Sequence, residues 1–291
     1  MYRVGFEYEK IKNWPIPEGH QDYSANDCIL YALSVGAGAG DPAADLNLIY
    51  EKKLEVLPTM AVTMASQGTM WVADPKTGID LSKLLHGEQY LTIHKPLPSE
   101  AKVKSRSYVQ EIYDKGVEKG SVMMLAREIS DAGSGELLAT CTSAVFLRGN
   151  GGCGGPTSGQ PVPQPIPERA PDVVIDAISR EEQAALYRLT GDTNPLHIDP
   201  KFAAMGGFPK PILHGLCTYG FAARAVISAV CDGNPARLRK FNLRFASPVF
   251  PGETLRTEIW NEGDGKAAFR TFVVERELLV LNNGYAEFDP A

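Results

Sequence analysis

The chain has 291 residues, 44% hydrophobic and 22% charged, enough to bury a core without disulfides and to form one large domain or two of ordinary size. A net charge of −6 and a pI near 5.5 argue against nucleic acid or an anionic membrane as the main partner. Five cysteines, an odd count with no C-x-x-C spacing, fit a reduced interior and exclude a zinc ribbon.

The first twenty residues, "MYRVGFEYEKIKNWPIPEGH", lack the apolar run of a secretory signal. No later stretch approaches the roughly 20 apolar residues of a spanning helix. The chain ends "EFDPA", which is not a peroxisomal tripeptide of the S-K-L kind, so the cytoplasm is the expected compartment. "YSANDCILYAL" (Tyr23 to Leu33) has a Ser, then acid and amide residues, then an apolar face, which predicts an N-capped short helix. After "KPLPSE" come "AKVKSRSYVQEIYDKG", "SVMMLAREISD" and "ELLATCTSAVFLRG", which read as three strands joined by tight turns.

"GNGGCGGPTSGQPVPQPIPERAP" (Gly149 to Pro171) can hold neither a helix interior nor a paired strand. It reads as a linker, flexible first and stiffer where Pro alternates. It separates residues 1–148 from residues 172–291. The second part echoes the first. "ISREEQAALYRL" (Ile178 to Leu189) predicts another short capped helix, and "SPVFPGE" precedes three more strands, "TLRTEIWNE", "KAAFRTFVVERE" and "LLVLNNGYAEF". The separations are 156 residues from Tyr31 to Tyr187 and 152 from Pro96 to Pro248, which suggests a duplicated fold. Between them "LHGLCTYGFAARAVISAV" predicts a long buried helix from about Gly215 to Val230. A buried helix wrapped by an antiparallel sheet is an α+β layout, and two copies in one chain would form a pseudo-dimer. The first part shows no clear counterpart of the long helix.

"TGDTNPLHIDP" (Thr190 to Pro200) carries Asp192, Asn194 and His197. Gly191 should cap the preceding helix, and Pro195 forces Asn194 into an extended conformation. In such a loop Asp192 and His197 can face one cavity, where the acid orients the imidazole or both hold one water. Asn194 between them offers a donor and an acceptor. Taken alone, the same residues also suit an Asx-turn and a structural His. A metal is not expected: His197 and Asp199 have no third ligand at a convincing spacing. Gly215, at the start of the long helix, adds an unpaired N–H to which a carbonyl oxygen can come close, as in an oxyanion hole.

"YRLTGDTNPLHIDPKFA" (Tyr187 to Ala203) followed by "GFPKPILHGLCTYGF" (Gly207 to Phe221) closely resembles the 2-enoyl-CoA hydratase 2 family, MaoC-like (R)-specific hydratases of the hot-dog fold. "ILYALSVGAG", "LNLIYE", "LHGEQYLTIHKPLP", "EIYDKG" and "FLRGNGGCGG" resemble its two-domain form, the hydratase 2 region of the peroxisomal multifunctional enzyme type 2. The resemblance implies a tandem (double) hot-dog fold in which the first half's helix is reduced or missing. It implies reversible hydration of a trans-2-enoyl-CoA to a (3R)-3-hydroxyacyl-CoA, in fatty-acid β-oxidation, on medium to long chains. Asp192 and His197 would hold the catalytic water, Asn194 would orient them, and the Gly215 N–H would bind the thioester oxygen. His86, Gly87, Lys115 and Phe245 match positions lining the CoA or acyl site, and Glu51 matches a sensitive position with a structural role. No cofactor is implied, since CoA belongs to the substrate; a homodimer is compatible. Only the second half would be catalytic, the first shaping the acyl-CoA pocket. No dehydrogenase domain precedes and no sterol-carrier domain follows, which fits a free-standing bacterial enzyme, or a domain of a larger peroxisomal one.

Three other readings compete. A hot-dog thioesterase would use an acid on the central helix and lack the G-D-x-N-P-x-H loop. A dehydratase of polyketide or fatty-acid synthesis would run the same chemistry backwards. A non-catalytic acyl-CoA binder would be expected to lose Asp192 or His197.

Overall fold

Among the described residues, ten strands make one antiparallel sheet: β1 (Gly19–Tyr23), β2 (Leu84–Ile93), β3 (Ala101–Asp114), β4 (Ser121–Asp131), β5 (Leu137–Leu147), β6 (Val173–Ile178), β7 (Leu238–Phe245), β8 (Thr254–Gly263), β9 (Lys266–Val273) and β10 (Leu278–Phe288). The computed structural model describes residues 5–66 and 71–290; Met1–Val4, Gln67–Met70 and Ala291 lie outside the described residues. The sheet order is β1-β3-β4-β5-β2-β7-β10-β9-β8-β6, so the second half repeats the strand order of the first in mirror sequence across a seam between β2 and β7. Glu88 faces Arg244, Gln89 faces Leu243 and Thr92 faces Lys240 along that seam. This is the tandem hot-dog arrangement, with two strands per half beyond the three expected.

Alternation along each strand sorts side chains between the two faces. On β5, Ala139 and Cys141 join the main core, while Ala144 and Phe146 point the other way, into a small cluster with Val122 and Met124. Tight turns follow local chemistry: β8 and β9 are joined through Asp264 (φ 48°) and Gly265 (φ 69°), the left-handed pair of a two-residue hairpin.

The helices are α1 (Tyr8–Lys12), α2 (Ala25–Ser34), α3 (Leu46–Ile49), α4 (Gln183–Tyr187), α5 (Pro200–Met205) and α6 (Gly215–Val230). α6 has the expected bounds, and Ala222, Ala223 and Val226 on it are fully buried. α2 begins after Ser24, whose N–H donates to the Asp27 carboxylate at 2.8 Å. The second short helix departs from expectation. Ile178 still belongs to β6, and the Ser179 hydroxyl donates to the Glu253 carbonyl (2.8 Å) instead of capping, so α4 is only five residues long. No helix among the described residues is long and apolar enough to cross a membrane.

Where α6 would have a twin in the first half, the described residues carry an irregular buried segment around the 3₁₀ turn Pro58–Val62. A helix satisfies its own backbone, whereas an irregular buried segment needs outside partners. β4 supplies Arg127, whose guanidinium donates to the Ala61 and Val62 carbonyls at 3.3 and 2.5 Å. The Ala65 N–H donates to Gln21 (2.6 Å), and the Ser105 hydroxyl donates to the Ala65 carbonyl (2.7 Å).

The two halves interlock beyond the seam. Gln183 of α4 donates to the Leu33 and Ser34 carbonyls at the end of α2, at 3.1 and 2.6 Å. Arg224 of α6 pairs with Asp45 at 2.7 Å. Val35 seats against Gly220 of α6, where any Cβ would come within 2.4 Å of it. Residues 149–171 contain no helix or strand, but they are not a loose tether. The Tyr113 hydroxyl donates to Gly159, Asn283 donates to Gln164 (2.8 Å) and Trp260 donates to Arg169 (2.8 Å), so the segment is tied in turn to β3, β10 and β8.

Candidate active site

The loop after α4 is built by side chains that hold backbone. A 3₁₀ turn, Arg188–Thr190, ends at Gly191 with φ 126°, a conformation that favours glycine. The Asp192 carboxylate then accepts the Asn194 N–H at 3.1 Å. Asn194, extended before Pro195 (φ −53°, ψ 123°), accepts the Leu196 N–H at 3.0 Å and caps the 3₁₀ turn Pro195–His197. Asn194 is exposed, and its side-chain oxygen is used on the backbone. It therefore positions the turn that carries Asp192 and His197. Asp199 is likewise occupied: it accepts the Lys201 N–H at 2.8 Å at the start of α5.

His197 is 8% exposed, and its Nδ1 lies 2.9 Å from the Ile212 carbonyl. A carbonyl only accepts, so Nδ1 carries the proton and Nε2 presents a lone pair. Burial holds its pKa below the ordinary value; the bond to Ile212 and the charge of Asp192 oppose this in part. His214, the residue before α6, is 1% exposed and lies against His197, the rings tilted by 31° with centres 3.8 Å apart. Its Nε2 donates to the backbone carbonyl of Asp192 at 3.2 Å, and its Nδ1 has no partner. Burial, then the neighbouring His197, lowers its pKa to about 4. Asp192, His197 and His214 bring their side-chain ligand atoms within 4.8 Å of one another. His214 is the residue that the sequence reading missed.

Gly215 follows at the first position of α6, where its N–H has no intrahelical acceptor. A Cβ there would stand 3.2 Å from the Phe245 ring at the end of β7. Phe245 in turn meets His86 of β2 edge-on, with centres 5.0 Å apart. Burial lowers the His86 pKa to about 4, and Asp192 is near enough for its charge to oppose the shift. So His86, from the first half, and Phe245 gather around Asp192, His197 and Gly215. Gly87 and Lys115 do not join this cluster. Gly87 sits at a bulge in β2 with the Phe146 ring across it, on the side away from the core. Lys115 lies in the β3–β4 loop, its ammonium 5.6 Å from the centre of the Tyr113 ring. Glu51 is exposed in the 3₁₀ turn Glu51–Lys53.

Three imidazoles with lowered pKa values carry a stability consequence. An unfolded His takes a proton near pH 6.5, whereas His86 and His214 resist it until about pH 4, with His197 shifted the same way. Between those limits the unfolded chain binds protons that the folded chain refuses, so stability falls as pH falls. The melting temperature should be lower at pH 5 than at pH 7.5, and His86→Gln should flatten that slope. A flat profile in the parent protein would contradict the neutral imidazoles.

An antiparallel double hot-dog with an Asp–His pair beside a helix N-terminus defines a class of thioester hydro-lyases. Two family models divide this chain: the MFE-2 hydratase 2 N-terminal domain matches residues 21–149 and the MaoC-like domain matches residues 161–283. The peroxisomal enoyl-CoA hydratase 2 of Arabidopsis thaliana is 41% identical over 94% of this chain and 92% of its own length. The peroxisomal multifunctional enzyme type 2 of Mus musculus is 40% identical over 95% of this chain, which spans only 38% of that longer protein. The crystal structure of a MaoC-like dehydratase from Phytophthora capsici, 35% identical, superposes with a TM-score of 0.85 over 97% of this chain and 99% of that one. The chain belongs to the MaoC-like hydratase 2 family.

Proposed function

We propose that the chain catalyses reversible hydration of a trans-2-enoyl-CoA to the (3R)-3-hydroxyacyl-CoA, at one site per chain in the second half. The observation that carries this reading is the convergence of Asp192 and the His197 Nε2 lone pair beside the N-terminus of α6. One water can donate one hydrogen to the carboxylate and the other to Nε2, which leaves its own lone pair for C3. As the O–C3 bond forms, the pair takes the water proton, and electron density moves onto the thioester oxygen. The Gly215 N–H stabilises that oxygen, and the proton carried by the pair is delivered to C2. Run backwards, the same steps are a dehydration, so a dehydratase direction uses the same groups.

Among the described residues, the first half offers no second pair. Its corresponding stretch, Ser34 to Leu46, has no His, and Asp45 is engaged with Arg224. Apolar side chains around the catalytic loop, Leu189, Ile198, Phe202 and Met205, are exposed. These features support an acyl thioester of medium to long chain, with the first half shaping the pocket, in a fatty-acid β-oxidation reaction.

The test is loss of the enoyl-thioester absorbance with crotonyl-CoA and with longer enoyl-CoAs. The product should feed a 3R-specific dehydrogenase and give no signal with a 3S-specific one. Each added buried CH₂ stabilises by up to about 0.8 kcal/mol, so kcat/KM should rise from four to about ten carbons. Titration with a tight product analogue should find one site per chain. A flat absorbance trace, a 3S product, or two equivalent sites would overturn the reading.

A further inference from the structure

His214 takes no part in the steps above, yet it is built into the site. It is 1% exposed and packs against two rings, His197 with centres 3.8 Å apart and Tyr187 with centres 4.9 Å apart. The backbone carbonyl of Asp192 accepts from its Nε2 at 3.2 Å, so the imidazole is the Nε2–H tautomer. The same short segment makes two more ties. Two residues earlier, the Ile212 carbonyl accepts from His197 Nδ1 at 2.9 Å. One residue later, Gly215 offers the N–H at the start of α6. Residues 212–215 therefore carry the holds on both reacting side chains and the oxyanion donor itself.

We propose that His214 is a positioning residue: its Nε2–H, through the Asp192 carbonyl, sets where the Asp192 carboxylate stands relative to His197 Nε2 and the Gly215 N–H. The effect on rate rests on the hydratase reading above; the hold on the loop does not. Asp192 is half-buried, and its carboxylate is braced from within its own loop, by the Asn194 N–H at 3.1 Å. A bond inside a loop keeps the shape of the loop but not its place against a neighbouring element. The His214 bond runs from the start of α6 to the loop and so fixes that place. An imidazole suits the task because it is rigid and, in this burial, uncharged: burial, then the neighbouring His197, lowers its pKa to about 4. A cation there could hold the same carbonyl but would weaken Asp192 as a proton acceptor. Misplacing a reacting group by about 1 Å can cost on the order of 10²-fold in rate, so one hydrogen bond of modest strength matters here.

The experiment compares His214→Leu, which fills much of the space without a donor, with His214→Gln, whose amide N–H can reach toward the same carbonyl, both in the full chain. His214→Leu should lower kcat by about 10²-fold while the product CoA ester binds as before, and His214→Gln should recover most of that loss. In an Asp192→Asn background the His214→Leu change should cost far less than it does alone, because it acts through Asp192. Hydrogen exchange of the backbone amides of residues 190–199 should quicken in His214→Leu and not in His214→Gln. If His214→Leu fails to fold, His214→Asn, with the same amide one carbon short, takes its place. A Gln variant as slow as the Leu variant, fully additive losses with Asp192→Asn, or unchanged exchange in the loop would each overturn the proposal. Should the parent chain hydrate none of the enoyl-CoAs, the exchange comparison still decides whether His214 holds the loop, and only the reaction reading falls.

Discussion

Asp192→Asn and His197→Ala should each lower kcat by about 10²-fold or more, the usual scale for a proton-transfer group, while the product CoA ester still binds. Asp192→Asn is the cleaner change. An Asn oxygen can still accept the Asn194 N–H that the carboxylate accepts at 3.1 Å, so the loop keeps its turn and loses only the charge and basicity. His197→Ala removes the Nε2 lone pair but also the bond to Ile212, so part of its effect is structural. His197→Gln, with a donor that can reach toward the same carbonyl, is the companion that separates the two. If chemistry is what is lost, kcat falls and the dissociation constant of the product does not. Near-normal turnover in either Asp192→Asn or His197→Ala would remove that residue from the mechanism.

The second large effect isolates one N–H. Gly215 stands at the first position of α6, where Pro is tolerated because that N–H has no intrahelical acceptor. Pro also demands an extended preceding residue, and His214 already has φ −58° and ψ 134°. Gly215→Pro therefore keeps the helix and deletes the donor. Its Cβ would press on the Phe245 ring at 3.2 Å, but so would that of Gly215→Ala, which keeps the N–H and serves as the reference. Gly215→Pro should fall about 10²–10³-fold below Gly215→Ala in kcat, or roughly 3–4 kcal/mol, the scale of one oxyanion donor. Melting temperatures of the two variants should stay close. Equal turnover in the pair would mean that the Gly215 N–H does not meet the developing charge.

Much of this site is legible in a local stretch of chain, and what is not depends on residues far apart in it. The bounds of α6 follow from small and apolar residues at helical spacing, "GLCTYGFAARAVISAV", a run whose own composition dictates a buried helix. β2 and β7 were harder. Gly87 and its bulge break the alternation of "LLHGEQYLTI", and each strand's partner in the seam lies some 150 residues away. His214 carries no local signal either: a lone His before a Gly becomes part of the site only because α6 starts against the catalytic loop. Asn194 is expected to orient the pair through its hydrogen-bonding capacity. That capacity is used on the Leu196 N–H, because a 3₁₀ turn opened by Pro195 leaves a backbone donor that needs an acceptor. The Gly/Pro-rich stretch was recognisable as irregular, but its three ties to the sheet come from Tyr113, Asn283 and Trp260, none of them within it.

The seam between β2 and β7 makes catalysis a question of assembly. His86 reaches the site from one side of it, and Asp192, His197 and Gly215 from the other. In the intact chain the connecting segment keeps the two sides on one molecule, so their encounter is intramolecular. That segment can be cut at Val162, which is 91% exposed. A single cleavage there would leave every catalytic atom in place and turn an intramolecular encounter into a bimolecular one. The nicked protein should then work normally when concentrated and lose specific activity on dilution, in step with dissociation of its two fragments.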